Sequence, residues 1–247
     1  MVTGRLKNRV IVLSGGTRGM GEAQVRGLVR EGARVVFGGR DAAAGRDIAA
    51  DVGGNAIFVS LDVTKAGDWK NIIDIALKRF GRIDGLINNA GVGATHALTD
   101  ISDEAWADII AVNQTGVFFG MREGARAMLE TGGGSIVNVA SAAGTKAHAM
   151  LVAYSAAKAA VIGMSRAAAK ELAPHAIRVN TMIPGFFATR LLTETTNSEA
   201  LERGARLTPL GRVARPDESV GAMIYLLSDE SSFVTGTEIV VDGGYTA

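Results

Sequence analysis

Short runs of apolar, mostly β-branched residues recur along the chain, and stretches of Ala, Leu, Met, Arg and Glu at helical spacing separate them. Several runs are apolar at consecutive positions, which is typical of strands that helices cover on both faces. This alternation predicts an α/β fold with a doubly wound parallel sheet and helices on both faces. The seven predicted strands cover residues 9–14, 34–38, 56–60, 84–88, 135–140, 177–182 and 238–242.

The same pattern predicts where function lies. Two of the predicted helices cover residues 21–31 and 152–172. Right-handed crossovers place all strand carboxyl ends at one edge of the sheet, where open α/β folds bind ligands. The sequence has no repeat, low-complexity tract or linker rich in Pro or Ser, which predicts one domain over residues 1–247. Residues 186–210 break the alternation, either as a segment covering the substrate or as an ordinary helical excursion.

Composition narrows the classes of function. The chain has 26 Lys and Arg against 25 Asp and Glu, so no net charge favours nucleic acid or an anionic membrane. It has no cysteine, which excludes a disulfide framework, a thiolate nucleophile and a cysteine metal site. The first apolar run begins at Val10 and is too short for a signal peptide or a membrane span. We therefore expect a soluble, cytoplasmic protein.

A glycine-rich loop, within VIVLSGGTRGMGEAQV, lies between the first strand and the first helix. Its glycines permit a tight turn and a close approach of the backbone to a pyrophosphate, whose charge the helix amino terminus meets. Glycines also collect in ordinary turns, but here strand, loop and helix follow in order, which predicts a nucleotide site. The predicted contacts in this loop are Ser14, Gly15, Thr17, Arg18, Gly19, Met20 and Gly21.

The second strand ends in FGGRD, where an NAD-binding member of such a fold places Asp or Glu for the ribose hydroxyls. Gly39 removes the carboxylate that would repel a 2'-phosphate, and Arg40 offers a guanidinium suited to phosphate oxygens. Asp41 is expected to cap the helix beginning near Ala42, and Arg18 is a weaker second candidate for the phosphate. The pattern predicts NADP (NADPH) as the cofactor, with NAD less favoured.

A candidate acid/base pair lies in AYSAAKAAVIGM, where Tyr154 and Lys158 are four residues apart and share a helix face. A nearby cation stabilises phenolate and lowers the pKa of a tyrosine. Ser141 follows the fifth strand on the functional edge, where its hydroxyl can hold a carbonyl oxygen while Tyr154 protonates it. Ser141 lacks the G-x-S-x-G context of a nucleophile. An isolated Tyr–Lys pair is usually a solvated helix face, so Ser141 is what favours catalysis.

Several motifs then occur in an order that resembles the short-chain dehydrogenase/reductase family over essentially the whole chain. They are the G-x-x-x-G-x-G loop, LINNAG at 86–91, Asn113 in IIAVNQTG, Ser141, the Tyr154 and Lys158 pair, and PGFFAT at 184–189. The resemblance implies a single-domain Rossmann-type fold and hydride transfer between nicotinamide and a carbonyl carbon. It also implies that Ser141 orients substrate, Tyr154 is the acid/base and Lys158 lowers the pKa of Tyr154 and holds the nicotinamide ribose. Asn113 would anchor a water leading to Lys158.

The resemblance implies further cofactor contacts after the other strands. Asp62, with Val63 beside it, would contact the adenine, and Thr189 with the backbone near Phe187 would hold the carboxamide. The cofactor contacts outside the glycine loop are Gly39, Arg40, Asp62, Val63, Asn89, Ala90, Gly91, Tyr154, Lys158, Pro184, Gly185, Phe187 and Thr189.

The substrate stays open between three alternatives on this framework. The segments VVDGGYTA, GGR and ESSFVTG resemble those of bacterial NADP-type secondary alcohol dehydrogenases, but hydroxysteroid dehydrogenases and 3-oxoacyl carrier-protein reductases share much of the framework. Of the three histidines, only His148 is placed near the site, as a residue lining the pocket. Seven apolar residues either line a substrate pocket or belong to the core. If they line a pocket, we expect a small hydrophobic ketone or secondary alcohol as the substrate. That set is Ala149, Met150, Leu151, Phe186, Phe187, Leu191 and Leu192.

Three further expectations concern partners and class. Some alcohol dehydrogenases of this type bind Mg through a residue that would lie beyond Ala247, so no metal is expected here. Family analogy implies a homotetramer. The competing function from another class is a non-catalytic NADP sensor, against which the intact Ser, Tyr and Lys set argues.

Overall fold

The computed structural model describes residues 4–146, 148–190, 192 and 199–247. Within these ranges the strands are β1 Val10–Ser14, β2 Arg34–Gly39, β3 Ala56–Ser60, β4 Gly85–Asn88, β5 Gly134–Val139, β6 Ile177–Pro184 and β7 Glu238–Val241. They form one seven-stranded parallel sheet in the order β3-β2-β1-β4-β5-β6-β7. The predicted fold class is confirmed, and no predicted strand end lies more than two residues from the observed one.

Helices connect the strands and pack on both faces. They are α1 Gly19–Arg30, α2 Ala42–Val52, α3 Ala66–Phe80, α4 Asp103–Ile110, α5 Gly116–Thr131, α6 Val152–Leu172, α7 Glu199–Leu207 and α8 Val220–Leu227. A π-helical turn, Ala111–Thr115, joins α4 to α5. Helix α7 lies within the stretch 186–210, of which positions 191 and 193–198 lie outside the described residues. In the part of the chain that the structure describes, no helix has the length and apolarity needed to cross a membrane.

The strands face two separate cores. In β1, Val12 packs in one core with Trp69 of α3, whereas Ile11 and Leu13 pack in the other with Leu28 of α1. All five side chains are fully buried. Each contributes about 1.5–3 kcal/mol relative to an exposed side chain. Burial on both faces explains why the strand sequences are apolar at consecutive positions.

The strand order reverses between β1 and β4, which creates the switch point of the sheet. Ser14, at the end of β1, pairs with Gly38 of β2 on one side and with Asn88 of β4 on the other. Beyond such a point the connections turn to opposite faces and leave a crevice, where open α/β sheets bind their ligands. The glycine-rich loop begins immediately after Ser14.

Candidate active site

The glycine-rich loop forms a close-packed cradle at the switch point. Gly15 has a φ of +72°, and a Cβ there would lie 2.7 Å from the Cα of Ala90. A Cβ on Gly21 would lie 1.9 Å from the carbonyl oxygen of Gly15. Since no larger residue fits at either position, the backbone can approach a ligand closely. The loop leads into the 12-residue helix α1, whose amino terminus attracts an anion.

Ser14 and Asn89 fasten the cradle to the loop after β4. The Ser14 hydroxyl accepts hydrogen bonds from the backbone N–H groups of Asn89 and Ala90, each at 3.2 Å. The Asn89 amide nitrogen donates to the carbonyls of Ser14 and Gly15, at 3.3 and 3.2 Å. The amide oxygen of Asn89 is buried without a hydrogen-bond partner among the described residues. A buried acceptor beside the cradle fits a polar ligand that donates to it.

The end of β2 lies against the same loop. A Cβ on Gly39 would lie 2.7 Å from the Thr17 Cγ2 and 2.9 Å from its hydroxyl oxygen, so Gly39 makes room for Thr17. Arg40 is exposed beyond it. The side chain of Asp41 accepts a hydrogen bond from the Ala44 N–H at 3.1 Å, which confirms that it caps α2. The carboxylate nearest to Arg40 in the sequence, that of Asp41, is therefore hydrogen-bonded to the amino terminus of α2.

Asp62, the predicted adenine contact, lies in a turn after β3. Its carboxylate accepts hydrogen bonds from the Thr64 hydroxyl at 2.8 Å and the Thr64 N–H at 3.1 Å. The Thr64 hydroxyl bond lowers the pKa of Asp62 most, and the positive charges of Lys65 and Arg40 lower it further. Strands β2 and β3 pair up to Gly39 and Ser60, so Arg40 and Asp62, which follow them, lie at the same part of the sheet edge.

Ser141, Tyr154 and Lys158 meet at the ends of β5 and α6. The Ser141 hydroxyl accepts a hydrogen bond from the Ala143 N–H at 3.2 Å and lies close enough to the Tyr154 hydroxyl to lower its pKa. Tyr154 is in the first turn of α6, and Lys158 is one turn later. The Lys158 Nζ donates to the Val139 carbonyl at 2.9 Å and lies 5.8 Å from the centroid of the Tyr154 ring. The structure thus brings together the three residues predicted for catalysis.

Burial shifts the two titratable groups of this site in opposite directions. It raises the pKa of Tyr154, and the nearby Ser141 hydroxyl opposes part of that rise. It lowers the pKa of Lys158 from 10.5 to about 8. At neutral pH, Tyr154 therefore keeps its proton. The expectation that Lys158 lowers the pKa of Tyr154 is not met in this structure, where burial dominates and raises that pKa.

Asn113 is fully buried in the π-helical turn. Its amide oxygen accepts from the Val92 N–H at 3.1 Å, and its amide nitrogen donates to the carbonyls of Val92 at 2.9 Å and Ile109 at 3.1 Å. A Cβ on Gly91 would lie 2.9 Å from the Asn113 oxygen and 3.5 Å from the Lys158 Nζ. Asn113 therefore holds the loop after β4 beside Lys158, and its contact with a water stays a prediction.

The segment after β6 reaches back to the phosphate loop. Strand β6 ends at Pro184, and the Gly185 N–H donates to a β7 carbonyl at 3.0 Å. The methyl group of Thr189 lies 3.2 Å from where a Cβ on Gly19 would be. Phe187 is buried, with 4% of its surface exposed. Thr189 and Gly19 are thus neighbours at the predicted cofactor site although they lie far apart in the sequence.

A cavity of about 350 Å³ adjoins the first turn of α6. It is lined by His96, Leu98, His148, Ala149, Met150, Val152 and Ser155. Ala149 and Met150 are thus pocket residues, as is His148. Of the rest of the predicted apolar set, Leu151, Phe186, Phe187 and Leu192 do not line this cavity, and Leu191 lies outside the described residues. His96 also lines this cavity, because the loop after β4 crosses to the segment before α6, where the His96 N–H donates to the Met150 carbonyl at 2.9 Å. The position of that loop after LINNAG was the available signal.

Replacing Lys158 by Met should stabilise the protein without cofactor. Because the folded-state pKa is about 8 and the ordinary value 10.5, the unfolded chain binds more protons between these pH values. The buried lysine therefore costs stability below pH 8, and that cost disappears as the pH rises to 10.5. After subtraction of the lost bond to Val139, we expect the free energy of unfolding to rise by about 2 kcal/mol near neutral pH.

Urea unfolding near neutral pH and again near the upper end of that range tests this expectation. Lys170→Met is the matched control, because Lys170 is exposed on the same helix. A Lys158→Met protein that is less stable than wild type near neutral pH, or a difference that does not shrink at high pH, contradicts it.

The fold and the site define the class of protein, which is an α/β dinucleotide-binding protein. The sheet is doubly wound, the glycine cradle lies at its switch point, and Ser141, Tyr154 and Lys158 meet at the same edge. A family model described as enoyl-(acyl carrier protein) reductase matches residues 15–246. The chain belongs to the short-chain dehydrogenase/reductase family of oxidoreductases, and the predicted family membership is confirmed.

Individual relatives align over the whole chain. It is 41% identical to the 3-alpha-(or 20-beta)-hydroxysteroid dehydrogenase of Mycobacterium tuberculosis, over 100% of this chain and 92% of that protein. It is 39% identical to the NADP-dependent (R)-specific alcohol dehydrogenase of Lentilactobacillus kefiri, over 100% of both chains. It is 40% identical to the cyclopentanol dehydrogenase of Comamonas testosteroni, over 99% of both. A solved structure assigned as a gluconate dehydrogenase of Agrobacterium tumefaciens is 30% identical and superposes with a TM-score of 0.93, covering 100% of this chain and 99% of that chain.

Proposed function

We propose that this protein is an NADP(H)-dependent oxidoreductase that interconverts a secondary alcohol and a ketone. The observation that carries the proposal is the meeting of Ser141 and Tyr154 beside the buried Lys158, whose Nζ lies 5.8 Å from the Tyr154 ring centroid. A protonated phenol, a second hydroxyl and a buried cation are the groups needed to hold a carbonyl oxygen and give it a proton.

The cofactor assignment rests on the cradle and on the end of β2. The close approaches at Gly15 and Gly21, the amino terminus of α1 and the unpartnered oxygen of Asn89 fit a dinucleotide. Gly39 and the exposed Arg40 support a phosphorylated ribose, and a relative of 39% identity is named as NADP-dependent. When bound, NADPH would supply the hydride for the carbonyl carbon.

The residues of the chain would perform the rest of the reaction. The Ser141 hydroxyl orients the carbonyl oxygen towards Tyr154, and the Tyr154 hydroxyl gives that oxygen its proton. The raised pKa of Tyr154 keeps the proton available at neutral pH. The charge on Lys158 stabilises the phenolate that remains. In alcohol oxidation, the phenolate of Tyr154 takes the hydroxyl proton back.

The cavity at the first turn of α6 supports a hydrophobic substrate. Leu98, Met150 and Val152 line it together with the polar side chains of His96, His148 and Ser155. A mostly apolar lining with a few polar groups favours a hydrophobic ketone or alcohol. Hydroxysteroid dehydrogenase activity is the second candidate, because a relative of that name is 41% identical over the whole chain. Reduction of 3-oxoacyl carrier proteins stays a further alternative.

A panel of aliphatic, cyclic, aromatic and steroid ketones, assayed with NADPH and with NADH, tests the proposal. We expect turnover of hydrophobic ketones with NADPH favoured over NADH. Micromolar NADPH binding without turnover of any carbonyl compound would contradict the proposal and favour the non-catalytic sensor. Light scattering on the same preparation tests the proposed homotetramer.

A further inference from the structure

A turn at the carboxyl terminus carries Tyr245 into the interior of the protein. Tyr245 is buried, with 7% of its surface exposed, although it is two residues from Ala247. The carboxylate of Asp242 accepts hydrogen bonds from the N–H groups of Gly244 at 2.9 Å and Thr246 at 2.8 Å. It also accepts one from the Thr246 hydroxyl at 2.6 Å. Asp242 thus fixes the turn that directs Tyr245 inward.

Tyr245 makes five directional contacts with three side chains. Its hydroxyl lies 2.9 Å from the His148 Nε2, and the two rings stack with centroids 5.6 Å apart. The Phe186 and Tyr245 rings meet edge to face, with centroids 5.0 Å apart. The Lys146 Nζ lies 4.4 Å from the Tyr245 ring centroid and donates to the Tyr245 carbonyl at 2.9 Å. Stacking, cation–π and hydrogen-bond contacts on one ring hold its neighbours in fixed orientations.

These neighbours belong to two different segments of the site. Lys146 and His148 lie in the loop between Ser141 and Tyr154, and His148 lines the cavity of about 350 Å³. Phe186 lies in the loop after β6 and packs on α7, since its Cγ is 3.1 Å from where a Cβ on Gly204 would be. Tyr245 therefore joins the loop that lines the cavity to the segment that follows β6.

We propose that Tyr245 is a positioning residue for substrate binding, which fixes His148 in the cavity wall and Phe186 against α7. The inference rests on the proposed reduction of a ketone. Tyr245 acts through His148 on the part of a bulky substrate that extends away from Tyr154. Burial and the positive charges of Lys146 and Arg203 lower the pKa of His148, so its ring is neutral at neutral pH. A neutral imidazole pairs with a phenol through one donor and one acceptor.

Steady-state kinetics of Tyr245→Phe with a bulky and a small ketone test the role of the hydroxyl. We expect the KM for acetophenone to rise about fivefold, while kcat changes less than about twofold. A fivefold weaker binding corresponds to the loss of the free energy of one net hydrogen bond. The KM for acetone should change less than about twofold, because a ketone of that size does not reach His148. Tyr225→Phe, on α8, is the matched control and should match wild type for both ketones.

A double-mutant cycle separates this role from general stability. His148→Phe keeps a ring for stacking but removes the hydrogen bond, so adding Tyr245→Phe to it should change the KM for acetophenone by less than about twofold. Nitrogen NMR of the His148 imidazole gives a readout that needs no turnover, and its Nε2 resonance should shift in Tyr245→Phe.

Three results would overturn the inference: an unchanged acetophenone KM in Tyr245→Phe, effects of the two variants that simply multiply, or an unchanged Nε2 resonance. A wild-type protein that reduces no ketone contradicts the proposed function instead, and the NMR result then decides whether the Tyr245–His148 pair exists. A wild-type enzyme that turns over acetophenone, with Tyr245→Phe indistinguishable from it, contradicts only the role of Tyr245.

Discussion

Tyr154→Phe should lower kcat for ketone reduction by about 10³-fold, because a positioned general acid contributes about 10²–10⁴-fold to such rates. The variant keeps the ring and loses only the hydroxyl, whose pKa the neighbouring Ser141 lowers. Water would then have to supply the proton, without the orientation that Ser141 and Lys158 give to the phenol. We expect the Kd for NADPH, from fluorescence titration, to stay within about fivefold of wild type, since one net hydrogen bond is worth about 1 kcal/mol.

Tyr225→Phe is the matched control for this experiment. Tyr225 lies on α8 and packs, partly buried, against the core that contains Leu28. The same loss of a hydroxyl there should leave kcat at the wild-type value. If Tyr154→Phe kept kcat within about tenfold of wild type, Tyr154 would not be the acid, because general acid catalysis is worth more than that.

The triple variant Thr17→Ala/Gly39→Asp/Arg40→Leu should lower the ratio of kcat/KM for NADPH to that for NADH by about 10³-fold. Loss of Arg40 removes charge-assisted hydrogen bonds worth about 1.5–3 kcal/mol, and the new carboxylate repels a 2'-phosphate and accepts from ribose hydroxyls. The change at Thr17 is needed because a Cβ at position 39 would lie 2.7 Å from its Cγ2. Gly39→Asp alone would displace Thr17 and disturb the cradle.

Two further variants serve as controls for the change in the ratio of kcat/KM for NADPH to that for NADH. Thr17→Ala alone measures what the loss of that side chain contributes to the ratio. Arg46→Leu removes an exposed arginine from the neighbouring helix α2 and should leave the ratio unchanged. A triple variant that binds NADPH and still prefers it as strongly as wild type would overturn the assignment of Arg40.

Local sequence patterns were sufficient for much of the fold. The predicted strand Ala56–Ser60 and helix Val152–Leu172 coincide with the observed elements, because apolar runs and helical periodicity act over a few residues. The functional edge was also predictable, since parallel strands joined by right-handed crossovers end on the same side. The capping role of Asp41 followed from its place before α2.

Contacts between distant segments were not predictable in the same way. The sequence does not predict that His96 lines the cavity, or that Tyr245 packs on His148 and Thr17 on Gly39. None of these contacts leaves a period or a spacing in the sequence, because each depends on how a loop crosses the sheet edge. The covering role of residues 186–210 stays a prediction, since part of that stretch lies outside the described residues.

The sequence by itself determined the strands, helix α6 and the order of the chemical groups along the chain, because backbone periodicity and short motifs are local properties. The tertiary structure decided which of these groups meet. It placed the Ser141 hydroxyl against Tyr154, buried Lys158 so that its pKa falls to about 8, and brought Tyr245 against His148. Burial and long-range packing set these distances and pKa values, and both arise only when the helices and loops close around the sheet.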